Sequence, residues 1–338
     1  MKEATHYLVI NQHNNILQCR LCPHNCIIEE NKVGKCKTRK NINGKLYSLT
    51  YGVISSIAFD PIEKKPLYHF YPGSLILSVG SFGCNFKCEF CQNWEISQIE
   101  NKDIDNFHKE KIITTQQLLQ IAKKYKSNIG ISYTYNEPLI NFEFVLDTAK
   151  IFNKEGYKNV LVTNGYINKE PLLELIPYID AANIDLKSFN ENFYKEICGA
   201  KLKFVLETIE IFLRHKKHIE LTTLVITQAN DSIEEITQIV NYVSSLSSEI
   251  PLHFSRYFPM YKFSKPSTSV EHLMEIYKLA KQKLKYVYLG NVVYEEYNST
   301  FCPNCNKLLI KRVGYNVEIM GLKNRVCKYC GEEIKIVI

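Results

Sequence analysis

Twelve cysteines, eleven of them in three tight groups, constrain this chain more than any other feature. The groups are Cys19-x2-Cys22-x3-Cys26-x9-Cys36, Cys84-x3-Cys88-x2-Cys91, and Cys302-x2-Cys305 followed by Cys327-x2-Cys330. Only Cys198 stands alone. Thiols so spaced in a reducing compartment hold metal rather than form disulfides. The N-terminus offers only Leu8-Val9-Ile10 as an apolar stretch, too short for a signal peptide. No run approaches the roughly 20 apolar residues of a membrane span. A soluble, cytoplasmic protein with no membrane partner is expected.

Three regions follow from the punctuation. Residues 1–72 form a Cys-rich extension, residues 73–297 alternate strand-like with helix-like segments, and residues 298–338 form a short tail with two CxxC pairs. In the middle region Ser74–Val79, Ile129–Tyr133, Asn159–Thr163, Ala181–Leu186, Ile219–Ile226, Pro251–Ser255 and Tyr286–Leu289 read as strands. Helical patterns lie between them, and the spacings Thr114/Gln117 and Ser232/Glu235 resemble capping boxes. Such a series implies an α/β fold with a parallel sheet, here an incomplete (β/α)6-type barrel, with chemistry at the C-terminal ends of the strands. The unusual polar motifs fall just there: the Cys84–Cys91 loop after the first strand, Tyr135-Asn136-Glu137-Pro138 after the second, Thr163-Asn164-Gly165 after the third, and Asp185 and Lys187 at the fourth.

Thiolates are the ligands of iron–sulfur clusters, and four saturate a [4Fe–4S] cluster. Three on one short loop leave an iron open. A zinc loop or buried structural cysteines are the plain alternatives, but no fourth ligand lies nearby in the sequence.

Cys-x3-Cys-x2-Cys after the first strand of a β/α series resembles the radical S-adenosylmethionine (SAM) superfamily. Longer strings narrow the match: Leu21-Cys22-Pro23-His24-Asn25-Cys26, Asp60-Pro61-Ile62-Glu63-Lys64-Lys65-Pro66-Leu67-Tyr68-His69-Phe70 and Cys91-Gln92-Asn93-Trp94-Glu95-Ile96-Ser97-Gln98. They resemble the radical enzymes of the AmmeMemoRadiSam system, relatives of the pyruvate formate-lyase activating enzymes. The resemblance covers nearly the whole chain.

The resemblance implies a [4Fe–4S] cluster on Cys84, Cys88 and Cys91, with Phe90 beside it, and S-adenosylmethionine on the open iron. Asn136-Glu137-Pro138 stands where the superfamily has Gly-Gly-Glu-Pro, so Glu137 would accept from the amino group of S-adenosylmethionine, with Tyr135-Asn136 replacing the glycines. Thr163-Asn164-Gly165 matches a motif after the third strand of the activating enzymes; Val162 stands where they carry Asp, which puts a monovalent-cation role in doubt. Asp185-Leu186-Lys187 matches their Asp-x-Lys, so Lys187 would neutralise the carboxylate of S-adenosylmethionine while Asp185 holds the ribose, the methionyl group or substrate. Each motif has a plain alternative as a helix-start charge, a turn or an ion pair. His253 and Arg256, after the sixth strand, are further candidate cofactor contacts.

The tail spacing, with 21 residues between its CxxC pairs, is that of a zinc ribbon. Structural Zn²⁺ is its expected occupant, with a rubredoxin-like iron as the alternative, and metal binding would stabilise so short a segment. Arg312-Val313-Gly314-Tyr315 reads as a ribbon turn. The N-terminal group, Cys19, Cys22, Cys26 and Cys36, suits Zn²⁺, narrowly preferred over a second iron–sulfur cluster. Cys198 is expected to be a buried structural thiol, with hydrogen-atom relay as the lesser, catalytic reading.

The expected activity is reductive cleavage of S-adenosylmethionine followed by hydrogen abstraction from a partner protein or small molecule, in the manner of an activase. The resemblance implies an electron donor such as flavodoxin or ferredoxin, and Memo-like and AMMECR1-like proteins as partners. An RNA-modifying enzyme is an alternative, but 42 basic against 35 acidic residues give a net charge of only +7 and no RNA-binding signature is evident. A non-catalytic metal-binding interaction protein is the other.

Overall fold

Eight strands in one sheet organise the middle of the chain. The computed structural model describes residues 1–100 and 112–338. The strands are β1 (Ser56–Pro61), β2 (Leu75–Gly80), β3 (Asn128–Tyr133), β4 (Lys158–Thr163), β5 (Ala181–Asp185), β6 (His218–Val225), β7 (Leu252–Arg256) and β8 (Val287–Gly290). They lie side by side in chain order. β2 to β8 are mutually parallel, and β1 pairs antiparallel with β2 at the edge. Each expected strand is present within a residue of its expected ends. β1 was not anticipated and lies inside the segment 1–72.

Parallel neighbours need crossovers, and the helices supply them. They are α1 (Thr115–Ala122), α2 (Phe142–Lys154), α3 (Lys169–Leu175), α4 (Leu202–Arg214), α5 (Ile233–Leu246) and α6 (Val270–Lys281). In α4, Val205, Thr208, Ile209 and Phe212 recur at helical spacing and are buried. Thr114 and Gln117 form the expected reciprocal capping box. Ser232 caps α5, but the Glu235 side chain turns instead to the Ser188 hydroxyl and the Phe189 N–H. With helices covering the sheet, its strands are buried on both faces and rich in Val, Ile and Leu.

The flanking segments are small antiparallel sheets. At the N-terminus, Lys2–Glu3, Lys45–Ser48 and Arg39–Ile42 form one, and Tyr7–Asn11, Ile16–Cys19 and Ile27–Ile28 another. In the tail, Leu308–Val313 and Asn316–Ile319 form a hairpin whose turn holds Gly314 at a φ of +58°. Among the described residues, no helix is long and apolar enough to cross a membrane.

Candidate functional site

A cleft of about 570 Å³ opens at the C-terminal ends of β2 to β7, lined by the three loop cysteines, Glu137, Asp185 and Lys187, among others. A larger cleft of about 860 Å³ lies at the opposite ends of the strands, against the tail. It contains no thiol, and the polar motifs do not reach it.

The cysteine loop follows β2 and is held from below. The Asn136 side chain accepts from the Ser81 N–H at 2.9 Å and donates to the Gly83 carbonyl at 2.9 Å. Gly83 has a φ of +85°, and a Cβ there would lie 2.5 Å from Thr38 Cγ2 and 2.7 Å from the Cys36 carbonyl oxygen. Only glycine fits. The Phe86 N–H donates to Cys84 Sγ at 3.3 Å, and Asn164 Nδ2 approaches the same sulfur at 3.7 Å. Burial pushes the Cys84 and Cys91 thiols above their ordinary pKa. Cys88 is held below its ordinary value, first by hydrogen-bonding contact with Cys198 and further by the Lys187 charge. Thiols buried in this way ionise only beside a cationic partner in the cleft.

Glu137 is the hub beneath that loop. One carboxylate oxygen accepts from the Thr163 hydroxyl at 2.7 Å and the Leu139 N–H at 3.0 Å, the other from the Asn164 N–H at 2.8 Å. A carboxylate has about four acceptor sites, so one remains open toward the cleft. Burial pushes the Glu137 carboxyl up to about 7, against these hydrogen bonds. Thr163 and Asn164 are thus committed to orienting Glu137 and the cysteine loop; Asn164 Nδ2 also donates to Asn85 Oδ1 at 2.9 Å.

Tyr135 supplies what the sequence left open. Its φ is +74°, the left-handed conformation that glycine favours, so the tyrosine follows a backbone path suited to the glycine it replaces. The side chain holds it there. The Tyr135 hydroxyl donates to Asp60 at 2.5 Å, and the Lys65 ammonium lies 4.6 Å from the ring centroid. Lys65 is buried and paired with Asp60 at 2.7 Å. Burial would raise the Asp60 pKa, but the donors Lys65, Tyr135 and Lys64 outweigh it and hold it well below the usual carboxylate range. Asp60, Lys65 and Tyr135 were missed as site residues. The one signal for Asp60 and Lys65 was their presence in a string shared with a resembled family; Tyr135 was noted only as a departure from that family's glycines.

Asp185 and Lys187 both line the cleft, as strand alternation requires, and pair at 2.7 Å. Burial disfavours the Lys187 ammonium, but Asp185 and the Cys88 thiol hold its pKa well above the ordinary lysine value. Phe90 is on the cleft wall with the Lys187 ammonium 5.9 Å from its ring. Cys198 is fully buried behind Cys88, outside the lining.

Two expected contacts lie away from the cleft lining. His253 points to the same side of β7 as the cleft-lining Ser255 but one layer deeper, where it pairs with the buried Glu220 at 2.7 Å. Arg256 alternates to the other face; its Nε donates to the Thr268 carbonyl at 2.7 Å and its guanidinium lies over Phe258. Neither lines the cleft.

The tail cysteines converge. Cys302 and Cys330 sulfurs are 3.6 Å apart, Cys305 and Cys327 sulfurs 3.7 Å. A tetrahedral ion with metal–sulfur bonds of about 2.3 Å would set about 3.8 Å between sulfurs, so this site fits one metal ion. Among the described residues, it is the only group that brings three or more ligand atoms within 4.8 Å of one another.

The Radical SAM superfamily description matches residues 78–243, from the end of β2 into α5. An uncharacterized protein of Methanocaldococcus jannaschii is 44% identical over 343 residues, covering 100% of both chains. The chain belongs to the radical SAM superfamily and is an enzyme. Its homology runs to activating enzymes. The 4-hydroxyphenylacetate decarboxylase activating enzyme of Clostridium scatologenes is 25% identical over 211 residues, covering 56% of this chain and 67% of its own. The pyruvate formate-lyase 1-activating enzyme of Escherichia coli K12 is 27% identical over 132 residues, covering 37% of this chain and 50% of its own. A solved domain of a pyruvate-formate lyase-activating enzyme from Bacteroides vulgatus aligns at a TM-score of 0.43 and 20% identity, over 48% of this chain and 99% of that one.

Proposed function

We propose that this enzyme cleaves S-adenosylmethionine reductively in the strand-end cleft and abstracts hydrogen from a partner protein or small molecule, in the manner of an activase. The observation that carries the reading is the set of three thiols, Cys84, Cys88 and Cys91, on one cleft wall opposite Glu137, Asp185 and Lys187. Their sulfurs do not close to single-ion distance, which suits a cluster and not a lone zinc. Bound there, a [4Fe–4S] cluster supplies an electron and an open iron for breaking the carbon–sulfur bond of S-adenosylmethionine.

The chain's own residues do the positioning. Glu137, with one acceptor site free, receives the ammonium of the substrate sulfonium, and that charge favours its ionised form. Lys187, anchored by Asp185, faces its carboxylate. The Tyr135 ring, pinned by Asp60 and Lys65, borders the cleft. Phe90 supplies an apolar wall.

The sheet's sequential order supports an incomplete barrel. The tail's closed thiol set supports a zinc ribbon. A flavodoxin or ferredoxin as electron donor, Memo-like and AMMECR1-like proteins as partners and a cytoplasmic location complete the reading.

The test is anaerobic. The protein is reconstituted with iron and sulfide, reduced with dithionite and given S-adenosylmethionine, and 5′-deoxyadenosine is followed by chromatography beside Cys88→Ala. Product from the wild type alone supports the proposal. Zinc and no iron at the loop would overturn it in favour of a metal-binding interaction protein.

A further inference from the structure

The N-terminal thiols do not behave like those of the tail. Both groups comprise four cysteines, yet only the tail sulfurs meet the spacing of one tetrahedral ion. Among the described residues, no three of Cys19, Cys22, Cys26 and Cys36 lie mutually within 4.8 Å. They are nevertheless one group: the Cys19 N–H donates to the Cys26 carbonyl at 2.9 Å, the Asn25 N–H closes a turn on the Cys22 carbonyl at 3.0 Å, and the Lys35 N–H, next to Cys36, reaches Cys26 Sγ at 3.5 Å. Three of them are buried and Cys26 is half-buried. A set of four thiols, gathered but too open for one ion, is matched to a polynuclear core. Cys84, Cys88 and Cys91 are open in the same way.

A second observation is independent of spacing. Arg39 is 1% exposed and carries Nη1 with no hydrogen-bond partner. Its Nη2 pairs with Glu143 at 2.7 Å and its Nε reaches the Ile140 carbonyl at 3.4 Å. The guanidinium interacts electrostatically with Cys19 and Cys36. An orphaned, buried N–H of a cation is costly unless an anionic acceptor sits beside it. The Thr38 hydroxyl donates to Cys36 Sγ at 3.3 Å, and the Lys35 N–H to Cys26 Sγ at 3.5 Å. Hydrogen bonds to sulfur tune iron–sulfur clusters.

The group also abuts the loop of the first cluster. A Cβ on Gly83 would strike the Cys36 carbonyl oxygen at 2.7 Å, and the His24 Nε2 lies 2.7 Å from the Asn85 carbonyl. His24 is between Cys22 and Cys26, and Asn85 follows Cys84.

We propose that Cys19, Cys22, Cys26 and Cys36 hold an iron–sulfur cluster, where zinc was expected, and that it relays electrons to the site at Cys84, Cys88 and Cys91. The relay rests on the proposed function; the cluster itself does not. In the relay a one-electron donor protein of the flavodoxin or ferredoxin class loses one electron, the N-terminal cluster gains it, and the same electron then reduces the neighbouring site. No proton or atom moves.

The experiment uses the full chain in two variants. In Cys84→Ala/Cys88→Ala/Cys91→Ala, reconstituted anaerobically, iron should remain with about one labile sulfide per iron, a Mössbauer cluster signature, and zinc confined to about one ion per chain. Zinc in place of iron there would overturn the cluster. If that variant fails to fold, the wild-type count decides, because labile sulfide above about four per chain requires a second cluster, a lone iron in the tail carrying none. In Cys22→Ala/Cys26→Ala, dithionite should still drive 5′-deoxyadenosine formation, while reduced flavodoxin should lose at least about tenfold, or about 1.4 kcal/mol in barrier. Equal effects with both reductants would overturn the relay.

Discussion

Replacing Tyr135 by glycine separates two opposed effects. A left-handed backbone costs a non-glycine residue roughly 1–2 kcal/mol, and Tyr135→Gly removes that strain. It also removes the hydrogen bond to Asp60, worth about 1.5–3 kcal/mol for a charged acceptor, and the ring beneath the Lys65 ammonium, worth about 0.5–2 kcal/mol. The unfolded chain gains roughly 0.4–1 kcal/mol of backbone freedom. The balance is a net loss of roughly 2–3 kcal/mol. Tyr135→Phe keeps the strain, ring and cation contact and loses only the hydroxyl, which is about 2 kcal/mol. The two variants should therefore be destabilised about equally, although one has the backbone's preferred residue. Anaerobic urea unfolding at unchanged m-value measures this. A Tyr135→Gly protein as stable as the wild type would show that strain outweighs the clamp, and an unchanged Tyr135→Phe would show that the Asp60 contact contributes nothing.

Gly83→Ala puts a methyl group 2.7 Å from the Cys36 carbonyl oxygen, which no rotamer can relieve, and should cost more than about 2 kcal/mol and lower the iron retained on reconstitution. Glu137 binds its proton more tightly folded, at about 7, than at the ordinary value of 4.5. Its contribution to stability is therefore full below 4.5 and lost as pH rises toward 7, so without S-adenosylmethionine the wild type should lose up to about 3 kcal/mol relative to Glu137→Gln across that interval in denaturation titrations. Arg256→Ala should leave the affinity for S-adenosylmethionine unchanged by calorimetry, because the guanidinium faces Thr268 and Phe258. Cys327→Ser should release the tail's metal in elemental analysis and lower the unfolding midpoint.

The parallel strands were legible because they are buried on both faces and read as short apolar runs between turn signals. β1 was not, because Ser-Ile-Ala-Phe-Asp-Pro is half exposed at the sheet edge and ends in proline, so it resembles punctuation. Glu137, Asp185 and Lys187 were legible because a strand end places them predictably. The position of His253 was not legible, because alternation gives a side chain's face and not its depth: His253 and Ser255 share a face, but of the two only Ser255 lines the cleft. The contacts Tyr135 to Asp60 and Cys88 to Cys198 join residues far apart in the chain, and no local pattern announces such pairs.

Those long-range pairs explain why the tail matters to a cleft it does not touch. Asp60 and Lys65 hold Tyr135, and between them in sequence Glu63 pairs with Arg312 of the tail at 3.5 Å while accepting the Gly73 N–H at 2.9 Å. Arg312 is fully buried; it donates to the Tyr68 carbonyl at 2.7 Å and lies 4.3 Å over the Tyr68 ring. One residue on, the His69 N–H donates to Glu220, whose other oxygen is paired with His253. A surface ion pair can break for under about 1 kcal/mol. A buried one broken on one side leaves an uncompensated charge and costs roughly 3–5 kcal/mol. Undocking the tail would strand Glu63 in this way and free the short segment that positions Asp60 and Lys65. The four tail thiols converge to the spacing of one tetrahedral ion, so a metal held there would keep the Arg312 hairpin folded and within reach of Glu63 and, through Asp60 and Lys65, steady the backbone path of Tyr135 at the cleft.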